Sequence, residues 1–242
     1  TGLTNGTGYV FQVSAVNEAG TGVASASSAW VTPYTTPAAA TGVAGVAGDS
    51  QVALSWTAGG TGGSVVTGWV VEYSSDAGVS WTTFDDGTSV SESATVTELT
   101  NGTAYVFQVS AVNEAGTGVA SASSASVTPY AKPGASTSVV ASPENLGAVV
   151  SWTAPAANGS PITGYTVTAT PGGATCTTAS TSCTVVGPTN GTAYTFSVVA
   201  TNEAGDGPAA TSPAATVTPR PTTAAPTAVS GGGCHPQATA FW

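Results

Sequence analysis

The chain has 242 residues, 41% of them hydrophobic, with 31 Gly, 15 Pro and no Met, a length that suits about two ordinary domains rather than one large core. Only 2 Lys+Arg stand against 12 Asp+Glu, for a formal net charge of −10, which excludes the phosphate neutralisation that nucleic-acid binding needs and sets the chain against anionic membrane surfaces. No stretch approaches the roughly 18 unbroken apolar residues of a membrane-spanning helix, so no membrane insertion is expected.

From the first residue the chain reads as a repeat. Residues 1–34, TGLTNGTGYVFQVSAVNEAGTGVASASSAWVTPY, return at 97–130 with changes only at Gly2/Glu98, Gly8/Ala104 and Trp30/Ser126, and a looser copy begins at Thr189. Asn5, Asn101 and Asn190 of the recurring Asn-Gly-Thr stand 96 and 89 residues apart, and Trp56, Trp152 and Trp242 stand 96 and 90 apart. Two landmarks with matching periods fix one frame. It places a partial unit with only the last two strands at 1–34, complete units at 37–130 and 133–219, and a linker with the first strands of a truncated unit at 220–242. Because it begins inside a repeat, the sequence is expected to be an internal piece of a larger protein, and the 1–34 hairpin, lacking its sheet, is expected to be poorly ordered or to borrow cover from a neighbour.

Within each complete unit the apolar residues alternate with period two, as half-buried strands require. In the first, Val52, Leu54 and Trp56 share a face, then Trp69, Val71 and Tyr73, then Tyr105, Phe107, Val109 and Ala111. In the second the same places are held by Val150 and Trp152, Tyr165 and Val167, and Tyr194, Phe196 and Val198. Trp56, Trp69, Tyr105, Phe107, Trp152, Tyr165, Tyr194 and Phe196 are accordingly read as core. Clusters of Gly, Asn, Asp, Ser and Pro separate the runs at the spacing of an antiparallel sandwich. Proline-containing joints at 32–37, 128–133 and 218–221 are short, and proline fixes φ, so limited bending between consecutive domains is expected.

The residues carrying this pattern resemble the bacterial form of the fibronectin type III module. Matching features are the Trp closing the second strand, the G-aromatic-x-V of the third at Gly68–Val71 and Gly164–Val167, and L-T-N-G-T-x-Y before the sixth. That last segment is similar to the tyrosine corner of immunoglobulin-like sandwiches, which would return a hydroxyl bond from Tyr105 and Tyr194 to upstream backbone. The resemblance implies an all-β fold of tandem seven-stranded antiparallel sandwiches. It also implies a non-catalytic, monomeric, rod-like spacer or stalk, extracellular and covalently linked to neighbouring domains of a secreted enzyme or surface protein.

Cys176 and Cys183 bracket TTASTS in what reads as a strand-turn-strand, where facing cysteines favour a local disulfide over two buried free thiols. Such a bridge belongs to an oxidising compartment. Catalysis finds little support: His235 is the single histidine, and adjacent Asp85 and Asp86 in DDGT read as turn residues rather than an acid pair. Glu18, Glu114 and Glu203 recur in N-E-A-G loops, but one carboxylate per loop falls short of a calcium site, and Cys234 with His235 lacks further ligands. No metal or cofactor is expected. Asn5, Asn101, Asn158 and Asn190 begin N-x-[ST] sequons that turn chemistry explains. Trp81 and Phe84, on an expected edge strand, are the candidates for stacking on a sugar ring, with polysaccharide or a cell-wall surface as partner. Edge packing over the sheet is the competing reading.

Overall fold

The computed structural model describes residues 2–85, 87–212 and 219. Asp86, Cys234, His235 and the strand expected to end at Trp242 lie outside those residues. The described chain is all-β, with no helix.

Residues 2–34 form a hairpin whose tip pairs β1 (Val16–Asn17) with β2 (Gly20–Thr21), while Tyr9 bridges Val31 nearer its base. Seven strands follow. β3 (Thr41–Gly48), β4 (Gln51–Thr57) and β7 (Ser93–Val96) make one antiparallel sheet in the order β3-β4-β7. β5 (Gly68–Ser74), β6 (Thr82–Phe84), β8 (Val106–Asn113) and β9 (Gly116–Thr117) make the other, in the order β6-β5-β8-β9. The inward residues of β4 alternate strictly with exposed ones, as period-two patterning dictates. Val52, Leu54, Trp56, Trp69, Val71, Val96, Leu99, Tyr105, Phe107, Val109 and Ala111 fill the space between the sheets. Trp56 meets Trp69 edge-on with ring centroids 5.2 Å apart.

The next sandwich repeats the plan with β10 (Thr137–Glu144), β11 (Gly147–Thr153), β12 (Gly164–Thr170), β13 (Thr175–Thr178), β14 (Ser182–Val186), β15 (Thr195–Asn202), β16 (Gly205–Asp206) and β17 (Ala210–Thr211). One sheet runs β10-β11-β14; the other runs β13-β12-β15-β16, with β17 also on β15. Val150, Trp152, Tyr165, Val167, Val185, Tyr194, Phe196 and Val198 are buried in it.

A disulfide joins Cys176 to Cys183, but its setting differs from a hairpin. β13 pairs with β12 and β14 with β11, so the chain between the cysteines crosses from one sheet to the other and the bridge ties the two layers together. The strand-turn-strand reading needs that correction. Local sequence shows two short strands and a turn; only the free edges of β12 and β11 decide that each strand finds a different partner.

Tyrosine corners close both sandwiches. The Thr100 N–H donates to the Tyr105 hydroxyl at 3.1 Å and the Thr189 N–H to Tyr194 at 2.9 Å. The Asn of each Asn-Gly-Thr then reaches a turn of its own unit: Asn101 accepts from Ser50 N–H at 2.9 Å and donates to Asp49, and Asn190 accepts from Leu146 N–H at 2.9 Å and donates to Asn145. These sequon asparagines use their amides to pin the turn between the first two strands.

Candidate functional site at the linkers

By contact the described residues divide into two compact units, 2–134 with 156–163 and 201–207, and 135–155 with 164–200 and 208–212. Loops 156–163 and 201–207 fall in the first unit because both bond to the linker around 129–134. A matching set of bonds holds the linker around 33–38.

In the earlier linker, Pro33 O accepts from Gly6 N–H at 2.9 Å, Thr35 N–H donates to Gly62 O at 2.9 Å, and Ala38 N–H donates to Gly60 O at 2.8 Å. Asn113, the Asn of N-E-A-G, is buried and donates through its amide nitrogen to Thr35 O at 2.8 Å and to Thr61 O at 2.9 Å. Its oxygen accepts from Ala115 N–H at 2.9 Å, which shapes the turn. One side chain thus ties linker, loop 59–63 and its own turn together. Gly118, the last Gly of the motif, lies so close to Pro37 O that a Cβ would collide with it, and Gly62 stands likewise against Thr35 O. Tyr34 carries a raised pKa because the Glu114 carboxylate beside it disfavours the phenolate, with desolvation and a hydrogen bond to Glu114 adding to the effect. Asn113, Glu114 and Gly118 of N-E-A-G-x-G each thus act at the linker or its turn.

The later linker repeats this. Gly102 N–H donates to Pro129 O at 2.9 Å, Ala131 N–H to Asn158 O at 2.8 Å and Gly134 N–H to Ala156 O at 3.0 Å. Buried Asn202 donates to Ala131 O at 2.8 Å and Ala157 O at 3.0 Å and accepts from Ala204 N–H at 2.9 Å. Gly207 lies against Pro133 O as Gly118 does against Pro37 O, and Asn158 adds a bond to Lys132 O at 2.7 Å.

In the sequence the glutamates of these loops draw attention, but in the structure the asparagines hold the linkers. The missed signal was joint recurrence: N-E-A-G-x-G and T-P-Y-x-x-P come back together, as two halves of one contact would.

Trp81 and Phe84 are placed differently from each other. Phe84 stands opposite Val71 on the edge strand β6, half-buried and packed against the core. Trp81 precedes β6, also half-buried, with its ring over the hairpin turn: a Cβ on Gly78 would sit 3.3 Å from it. Their spacing of three puts the side chains on opposite sides of an extended chain, so they do not make one continuous strip. The turn beneath Trp81 is organised by Asp76, whose carboxylate accepts from the Ser74 and Ser80 hydroxyls at 2.6 Å each and from Ser80 N–H at 2.9 Å. These donors, the Ser74 hydroxyl foremost, lower its pKa to about 2.

Paired antiparallel sheets, of three and four strands in the first sandwich and three and five in the next, a buried Trp on the second strand and a tyrosine corner define tandem immunoglobulin-like sandwiches. The chain belongs to the fibronectin type III family: the Fibronectin type III domain profile matches residues 38–127 and 133–217. It is 36% identical over 140 residues to human Myomesin-2, covering 55% of this chain and 10% of that protein. It is 34% identical over 182 residues to Chitinase A1 of Niallia circulans, covering 72% of this chain and 24% of the relative. The chain therefore spans a quarter or less of the length of these relatives. Among solved structures, the chicken CNTN1 FN1-FN3 domains are similar at 24% identity and a TM-score of 0.38, over 76% of this chain and 67% of that one.

Proposed function

We propose that this chain is a non-catalytic extracellular spacer, whose tandem modules position other domains of a secreted enzyme or surface protein. The observation that carries the reading is where the recurrent polar residues go. Asn101, Asn113, Asn190 and Asn202, which repeat from unit to unit, are engaged in bonds that hold turns and linkers. A repeated ligand site would instead leave its repeated residues aimed outward. Fibronectin type III modules are generally non-catalytic. Resemblance to part of a chitinase favours the enzyme-linked version, and the layer-crossing disulfide favours an oxidising compartment. The net charge of −10 works against self-association.

The test is sedimentation or titration of the chain against cellulose, chitin and peptidoglycan. No saturable binding is expected. Saturable binding abolished by Trp81→Ala would replace the spacer with a carbohydrate-binding module.

A further inference from the structure

We infer that the N-E-A-G-x-G loop is a linker-binding site, whose ligand is the extended Tyr-x-x-Pro segment immediately ahead of the unit. Each linker is then a folded part of the module it precedes. The inference adds a mechanism that the spacer reading does not require, and each can fail without the other.

Three observations carry it. First, Asn113 and Asn202 are 4% exposed, and each donates into a linker carbonyl 78 or 71 residues away in the chain. A buried amide must find partners, and here the partners are the linker and the loop facing it. Second, the fit is shaped by absence of side chain. Gly118 and Gly207 leave room for the carbonyls of Pro37 and Pro133 that no other residue would leave without backbone movement. Third, linker backbone donors are consumed in the same register twice: Thr35 to Gly62 O and Ala38 to Gly60 O, then Ala131 to Asn158 O and Gly134 to Ala156 O. Linker side chains differ between the copies at Thr35/Ala131 and Thr36/Lys132, while the bonds do not. The site therefore reads an extended backbone bounded by Tyr and Pro.

The competing view is that the Asn merely caps its own turn. Asn113→Asp separates the two, because aspartate keeps the oxygen that accepts from Ala115 N–H but loses the nitrogen that donates to Thr35 O and Thr61 O. Asn17 supplies an internal control: it is exposed and caps Ala19 N–H in the same way at 2.9 Å. Hydrogen exchange on the full chain should show protection of the Thr35 and Ala38 amides falling about tenfold or more in Asn113→Asp, the amides of β5 and β8 staying protected. Asn17→Asp should leave exchange in the 2–34 hairpin unchanged. Wild-type linker protection in Asn113→Asp would overturn the inference, and so would equal loss across linker and core. Should that variant fail to fold, Thr35→Pro, which removes the linker's own donor, should raise exchange at Ala38 alone; unchanged exchange there would equally overturn it.

Discussion

The hairpins at 2–34 and 97–130 share nearly one sequence and one set of backbone bonds, yet their apolar faces meet different surroundings. Ser25 and Ser28 N–H donate to Val13 O and Phe11 O in one, as Ser121 and Ser124 donate to Val109 O and Phe107 O in the other. Phe11 is 46% exposed and Val13 74%, whereas Phe107 and Val109 are each 0% exposed. Among the described residues the first face is left largely open, with Tyr9 half-buried, where the sequence leads one to expect a hairpin that is poorly ordered or borrows cover from a neighbour. Pairing is therefore a local property of the segment, and burial belongs to the strands around it. Two of the three differences between the copies are one coupled change: the Trp30 ring lies over Gly8, where a Cβ would fall 2.8 Å from it. Ala104 becomes possible where Ser126 replaces that ring.

That contrast can be tested in order of expected effect. Phe107→Ala should destabilise the 37–130 sandwich by about 3–5 kcal/mol through loss of buried area and the cavity left, while Phe11→Ala should change stability by about 0.5 kcal/mol or less. Chemical denaturation of the two variants checks this, and equal effects would mean that the faces are not differently covered. A smaller effect separates the two complete sandwiches. Cys176→Ser with Cys183→Ser should cost the 133–219 sandwich about 2 kcal/mol, the loop-closure contribution expected of a short disulfide loop. The 37–130 sandwich, which has no cysteine, should not respond. Denaturation followed by domain-resolved hydrogen exchange would expose a shared loss, which would contradict independent folding of the units.

The smallest effect concerns pH and the Asp76 turn of the 37–130 sandwich. The folded pKa of Asp76 lies below the ordinary 3.8, at about 2. The carboxylate's contribution is therefore fully present above the ordinary value and is lost as pH falls through the folded one. Amide signals of Gly78 and Ser80 should stay unchanged down to about pH 4 and shift progressively toward pH 2. Movement beginning well above that window would mean that the Ser74 and Ser80 bonds do not form.

Much of the fold was legible because its signals are local. Alternation along β4 needs no knowledge of a partner strand to mark Val52, Leu54 and Trp56 as one face, and the corner tyrosines bond only five residues upstream. The candidate site was legible only in part. N-E-A-G-x-G stood out as recurrent, but which of its residues mattered depended on contacts to a linker far earlier in the chain.

What the sequence by itself determined was the repeat frame, the strands, their inward faces and the turns, all set by short-range periodicity and by glycine, proline and asparagine chemistry. The tertiary structure decided three things. It sent the strands flanking Cys176 and Cys183 to different sheets, left Phe11 open where Phe107 is buried, and closed the Asn113 and Asn202 amides onto their linkers. Each depends on which surface arrives from elsewhere in the chain, and no local pattern encodes that.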